Sequence, residues 1–285
     1  MTPPPGRWSD LDRPPLNARA LRTALVRPGS LWTGLTVVES TGSTNADLAA
    51  AAASGDAAPG TVRVAEEQVR GRGRLDRQWS APARSGLFCS VLLAPGPEVP
   101  AERWGWLPLL AGVAAVTALT PVTEVATALK WPNDLLVPVD GEERKLGGIL
   151  AERVTLADGT PAVVLGMGIN VSLRAEELPV PTAGSLLLAG AATTDRDPLL
   201  RAVLRSLAEW YGRWTVAGGD ASAGGLLPAY AACCATLGRN VRALLPGGAE
   251  VRGEAVAVDG TGRLVIADAE GVQRPVDAAD IVHLR

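Results

Sequence analysis

Histidine is nearly missing from this 285-residue chain: the only one is His283. A Ser-His-Asp or Cys-His device would have to recruit that near-terminal residue, and a multi-histidine metal site is impossible. Cysteine is scarce as well. Cys89, Cys233 and Cys234 are odd in number, two are adjacent, and none shows the paired spacing of a zinc site or redox dithiol. Reduced thiols in a cytoplasmic compartment are expected. No excess of positive charge is present; the net charge of -3 argues against a chain-wide nucleic-acid footprint while leaving room for a local basic site. The start, Met1-Thr2-Pro3-Pro4-Pro5-Gly6, lacks the basic and apolar stretches of a secretory signal. Uncharged residues run from Trp104 to Thr123, but Gly105, Pro108, Gly112 and Pro121 interrupt them, so a buried core helix is predicted rather than a membrane span. Chemistry, if any, is left to lysine, arginine, carboxylates or a bound metal, with the substrate able to supply the nucleophile.

What is present is globular: 47% hydrophobic and 20% charged residues, enough apolar material for a sizeable core. Residues 1–30 are rich in proline and arginine and read as a flexible arm with one amphipathic helix near Leu16 to Val26. Thr36 to Glu39 and Thr61 to Glu66 read as strands, with an alanine-rich helix between them that stops at Gly55. Gly86 to Leu93, Ala128 to Val137, Arg144 to Glu152 and Val163 to Val171 are further apolar strands. Helices are predicted from about Asp197 to Trp214 and from Leu226 to Thr236. From Val241 onward, short alternating strands separated by Pro246-Gly247-Gly248, Asp259-Gly260 and Glu270-Gly271 have the pattern of a small β-barrel. The organisation expected is therefore an arm (1–30), a main domain of strands and helices (31–237) and a small barrel (238–285).

Three stretches carry chemistry. Gly71-Arg72-Gly73-Arg74-Leu75-Asp76-Arg77-Gln78-Trp79 has no hydrophobic period and combines glycines with arginine forks that match carboxylate and phosphate oxygens. A solvated surface loop would have the same composition. Lys130-Trp131-Pro132-Asn133-Asp134 breaks an apolar strand, and a lysine there is costly unless paired or engaged by a ligand. Turn chemistry alone accounts for Asn133 and Asp134, not for Lys130. Lys145-Leu146-Gly147-Gly148 places two glycines inside a strand, the mark of a bulge or a close approach. Upstream, Ser43-Thr44-Asn45 opens the alanine-rich helix, where it serves either as a cap or as a polar cradle for a small ligand. Gly166-Met167-Gly168 has no third glycine at dinucleotide spacing, and no P-loop occurs.

Taken together and in this order, these stretches, with Gly166-Met167-Gly168-Ile169-Asn170 downstream, resemble biotin protein ligases from about residue 33 to the C-terminus. The resemblance implies an α+β fold in which a mixed β-sheet packs with helices, the class II synthetase-like, biotin-lipoate ligase fold, ending in an SH3-like barrel. It implies ATP, Mg²⁺ and biotin as the small molecules, and a biotin carboxyl carrier domain as acceptor. Ser43, Thr44, Asn45, Gln68, Arg72, Gly73, Arg74, Lys145, Gly147 and Gly148 are its biotin-binding candidates. Arg72, Arg74, Arg77, Trp79, Lys130, Asn133, Lys145 and Asn170 are those for the nucleotide. Lys130 and Arg72 are the catalytic candidates and Asp134 the one that positions the acceptor lysine; metal ligands stay unassigned. Asp76 departs from the family pattern, which has glycine there. Thirty residues before the main domain are too few for a winged helix-turn-helix, so the type expected binds no DNA and no membrane and is a monomer or weak homodimer. A lipoate-type ligase of the same fold, or a nucleic-acid-binding module with a basic loop, are the alternatives.

Overall fold

A computed structural model describes residues 12–74, 77–245, 247–277 and 279–284. The main sheet has seven strands: β1 (Gly34–Thr41), β2 (Thr61–Gln68), β5 (Gly86–Leu93), β6 (Ala128–Lys130), β7 (Asp134–Val139), β8 (Glu142–Thr155) and β9 (Pro161–Asn170). Their spatial order is β1-β2-β5-β9-β8-β7-β6. Only β1 and β2 run parallel, joined by the helix α2 (Thr44–Ser54), and the remaining neighbours are antiparallel. The mixed sheet is thus as expected.

Strand alternation gives the sheet two unlike faces. On one face Val91, Leu93, Leu165, Met167 and Ile149 join the main core with α3 (Trp106–Thr123), α4 (Arg196–Val216) and α5 (Leu226–Cys233). The helix α3 is the long uncharged run, and it is buried along most of its length as the central core helix. The opposite face carries small residues. There α2 lies close to the sheet because alanines face it, with Leu48 and Ala52 packed on Leu92, Ala162 and Val164. Beyond the N-terminus of α2 this face is left uncovered by any helix, which is where the cavity forms.

Residues 12–30 correct the expectation of a flexible arm. The helix α1 (Ala18–Leu25) buries Leu21 and Leu25 in the main core and contacts β1 and α4. Ahead of it, Glu66 and Arg196 form an ion pair at 2.6 Å with both side chains only 3% exposed. That pair also binds the backbone of the incoming chain: Leu16 N–H donates to Glu66 at 2.6 Å, and Arg196 donates to the Pro14 carbonyl at 2.6 Å. A buried pair satisfied in this way is expensive to break, so the segment is docked.

After α5 the chain enters the small domain, β10 (Asn240–Leu244), β11 (Glu250–Val258), β12 (Leu264–Ala267), β13 (Gln273–Val276) and β14 (Asp280–His283), an antiparallel sheet in the order β13-β12-β11-β10-β14. Val241, Ala243, Ala255, Leu264, Ile266 and Ile281 fill its interior. The two-residue strands β3 (Gly71–Arg72) and β4 (Gln78–Trp79) pair as a hairpin over the open face of the main sheet.

Candidate active site

A cavity of about 540 Å³ lies between the open face of the main sheet, the β3–β4 hairpin and β14. Its floor is glycine. Gly148 on β8 and Gly168 on β9 leave room above the sheet for the hairpin, while Gly166 on β9 makes room for Asn45, whose Oδ1 stands where a Cβ would collide with it. The Trp79 indole lies across Gly168 and Gly148, 3.0 Å from where a Cβ on Gly168 would stand, and its Nε1 is buried with no hydrogen-bond partner among the described residues.

The α2 end is neutral and tightly bonded. Gln68 Oε1 accepts from both Thr44 N–H (2.8 Å) and Thr44 Oγ1 (3.0 Å). Asn45 donates to the Leu150 carbonyl at 3.2 Å and to Glu152 at 2.7 Å, while its Oδ1 lies 2.6 Å from the Ser90 hydroxyl. Ser43 is the N-cap of α2. Ser43-Thr44-Asn45 thus start the helix, as the capping reading expects, and they also line the cavity. At this rim Arg72 pairs with Glu152 at 3.1 Å.

At the other end the cations gather. Lys145 pairs with Asp134 at 2.5 Å. Lys130, opposite Asp134 in the β6–β7 register, is drawn below the usual lysine pKa by burial, against the pull of the Asp134 carboxylate. Arg74 donates to Asn133 Oδ1 at 3.1 Å, and Asn133 in turn donates to the Ile149 carbonyl at 2.9 Å. Arg77 is paired with Asp280 of β14, which ties the hairpin to the small domain. Asn170 faces the same cavity but spends its amide on the Gly184 carbonyl, at 2.9 Å, holding the 182–184 wall.

Of the residues singled out from sequence, Ser43, Thr44, Asn45, Gln68, Arg72, Gly73, Arg74, Arg77, Trp79, Lys130, Asn133, Asp134, Lys145, Gly148 and Asn170 all line this one cavity. Gly147 does not. A Cβ on it would stand 2.5 Å from the Gly168 carbonyl oxygen, so its lack of a side chain serves strand-to-strand packing and not a ligand. Asp76 falls outside the described residues. Sequence reasoning missed Ser90, Glu152 and Asp280. The first two sit in otherwise ordinary strands, and Asp280 belongs to the other domain; only the strand order brings them here.

Two family models match the chain: the biotin/lipoate A/B protein ligase family over residues 37–170, and the biotin protein ligase C-terminal domain over residues 236–284. The biotin–[acetyl-CoA-carboxylase] ligase of Mycobacterium tuberculosis is 44% identical over 276 residues, 96% of this chain and 97% of that protein. The bifunctional ligase/repressor BirA of Bacillus subtilis is 32% identical, over 80% of this chain and 68% of its own length. Among solved structures, a biotin protein ligase from Aquifex aeolicus in complex with biotin and ATP superposes with a TM-score of 0.68 and 27% identity, covering 89% of this chain and all of that one. With the two models falling on the sheet-and-cavity domain and on the small barrel, and a relative aligned almost end to end, the chain belongs to the biotin protein ligase family.

Proposed function

We propose that the enzyme activates biotin as biotinyl-5'-AMP and then transfers the biotinyl group to one lysine of a biotin carboxyl carrier domain. The observation that carries this reading is the sharing of one elongated cavity by four cations from separate stretches, Arg72, Arg74, Lys130 and Lys145, with a neutral polar cradle at its far end. A carboxylate and a triphosphate repel each other, so fixed positive groups are what their reaction demands. In the first step a biotin carboxylate oxygen bonds to the α-phosphorus of ATP and pyrophosphate leaves. In the second the acceptor amine bonds to the carbonyl carbon and AMP leaves.

Residue roles follow from position. Ser43, Thr44, Asn45 and Gln68 form the cradle for the neutral ring system, with Gly148 admitting the ligand close to the backbone. Lys130 faces the α-phosphate, Lys145 the carboxylate and phosphate, and Arg72 and Arg74 cover the bound adenylate, with Arg77, Trp79, Asn133 and Asn170 around the nucleotide. The buried, unpartnered Trp79 Nε1 suits a ligand acceptor atom, since such a donor is costly when left alone. Asp134, beside the cations, positions the acceptor lysine and takes up its proton once Lys145 turns to the phosphate.

Magnesium fits only as a companion of the nucleotide. No group of three or more Asp, Glu, His or Cys side chains converges among the described residues, and both cavity carboxylates, Asp134 and Asp280, already hold cations. Mg²⁺ bound mainly by water and substrate phosphates requires no protein cage; it would lower the charge on the phosphates next to Lys130.

The test is incubation with ATP, Mg²⁺, biotin and a biotin carboxyl carrier domain, read by intact mass. One biotinyl addition on one lysine is expected, with none when ATP is omitted. An unmodified carrier, or equal labelling when lipoate replaces biotin, would overturn the assignment.

A further inference from the structure

His283, the only imidazole, takes no part in the reaction described above, yet it stands between the two domains close to Lys130. Its Nδ1 lies 3.2 Å from Arg239 Nη1 and its Nε2 lies 3.1 Å from Thr236 Oγ1. A guanidinium can only donate, so Nδ1 accepts and the neutral ring carries its proton on Nε2, where it is donated to Thr236. Burial and the charges of Lys130 and Arg239 push the ring down to about 4, so it stays neutral and the hydrogen bonds keep this direction.

Thr236 Oγ1 is fully buried and accepts a second hydrogen bond, at 3.1 Å, from the amide of Trp131, the residue after Lys130. At the other end Arg239 is gripped by both oxygens of Glu143, at 2.6 and 2.7 Å. A chain of hydrogen bonds thus links Glu143, Arg239, His283 and Thr236 and ends on the Trp131 amide beside Lys130.

The sheet gives that backbone support on one side only. The strand β6 has three residues, stands at the sheet edge and pairs only with β7. Its outer side is held by the segment that joins the domains: Ala235 N–H donates to the Leu129 carbonyl at 2.7 Å, and Thr236 takes the Trp131 amide. The Trp131 indole reaches into the barrel and donates to the Gly262 carbonyl at 3.1 Å. Lys130 is therefore bracketed by Leu129 and Trp131, both anchored to the inter-domain segment or the barrel.

We propose that Thr236 and His283 are positioning residues for adenylate formation, holding the Lys130–Trp131 backbone so that the Lys130 ammonium meets the α-phosphate. This rests on the role given to Lys130 above. Its scale is set by geometry: a displacement of about 1 Å caused far from the chemistry can cost on the order of 100-fold in rate.

A purely structural contact between domains would lower stability and every activity together, whereas a positioning role separates rate from binding. Full-length Thr236→Val, Thr236→Ser, His283→Phe and Lys130→Ala are compared by biotin affinity in calorimetry and by single-turnover pyrophosphate release at saturating biotin and ATP-Mg²⁺. Thr236→Val and His283→Phe are expected to slow release about tenfold while biotin affinity stays within about twofold. Thr236→Ser, which keeps the hydroxyl, returns the rate to within about threefold of the parent. If Lys130→Ala is slow while Thr236→Val and His283→Phe run at the parent rate, or if Thr236→Ser is as slow as Thr236→Val, the positioning role is wrong. If Lys130→Ala itself releases pyrophosphate at the parent rate, the role of Lys130 fails first and this inference with it.

Discussion

At the α2 end of the cavity Thr44, Asn45, Gln68 and Ser90 satisfy one another through hydrogen bonds of 2.6 to 3.0 Å between neutral groups; at the β14 end Lys145 and Arg77 are paired with the carboxylates of Asp134 and Asp280, Lys130 lies opposite Asp134 and Arg74 is bonded to Asn133. Lys145 and Glu152 mark the two ends on the same strand, seven residues and therefore roughly 20 Å apart. The neutral end is finished before any ligand arrives, and a rigid polar cradle costs no reorganisation when it is used. The cationic end holds stand-ins. Partly exposed ion pairs contribute little to stability, about 0–1 kcal/mol, so a phosphate can replace a carboxylate there without unsettling the fold. One end selects, the other trades partners.

The sharpest break of this contrast is Lys130→Ala. Losing one fixed cation at a developing phosphate charge commonly costs on the order of 10²–10³ in rate. Adenylate formation should fall by that much in a pyrophosphate-exchange assay while biotin binding by calorimetry barely moves. Coupled loss of both would show that the two ends are not separable. Arg72→Ala acts at the boundary. Arg72 is half-exposed and paired with Glu152 across the rim, so its removal should leave formation of the adenylate largely intact and weaken its retention about tenfold. Free biotinyl-AMP accumulating in solution, measured by chromatography, is the expected result; full retention would remove Arg72 from the lid.

How much of this was legible before the structure depended on whether the signal was local. Lys130 was readable because a charge at the end of an apolar strand needs a reason, and the arginine-glycine loop because its composition fits neither helix nor strand. The strands and helices followed from periodicity, whereas the mixed sheet came with the family resemblance. Ser90 and Glu152 were not readable, since they occupy alternating positions in ordinary strands and meet Asn45 only because β5, β9 and β8 are neighbours. The docking of residues 12–30 was hidden for the same reason: it hangs on Glu66 and Arg196, 130 residues apart, and no local pattern announces a buried pair. Gly147 and Gly148 looked equivalent as a glycine pair, but the strand alternation sends them to opposite faces.

That adjacent pair gives a finer comparison. Gly147→Ala drives a Cβ to 2.5 Å from a backbone oxygen on β9, which cannot yield without moving the strand. Overpacking of this kind costs about 1–3 kcal/mol, several degrees in Tm for a chain of this size. Gly148→Ala meets only the Lys145 side chain and the Trp79 ring at 3.7 Å, ordinary contact distance, so the melting temperature should hold. The added methyl instead occupies the cavity floor and should weaken biotin binding about tenfold. Calorimetric melting and titration of both variants decide it; equal behaviour would mean that the floor is not where the ligand lies.

The smallest expected effect concerns the joint between the domains. His283 titrates at about 4 in the fold against an ordinary 6.5, because burial comes first and Lys130 and Arg239 add to it, opposed only by Glu143. Between those values the unfolded chain takes up a proton that the folded chain refuses, so stability is complete above about pH 6.5 and declines as pH falls toward 4. Carboxylates that the fold holds low, such as Glu143 through its Arg239 hydrogen bonds, titrate further down. Asp197, which burial holds above the usual carboxylate range, is common to the parent and the variant, so it is the difference between them from pH 6.5 to 5 that isolates the single imidazole. Since the side chain keeps 17% of its surface exposed, some solvent screening moderates the slope. Melting temperatures followed across that interval should fall slightly in the parent and stay level in His283→Phe. An identical slope in both would mean that the ring is not held neutral at the joint, and the acceptor role given to Nδ1 would fail with it.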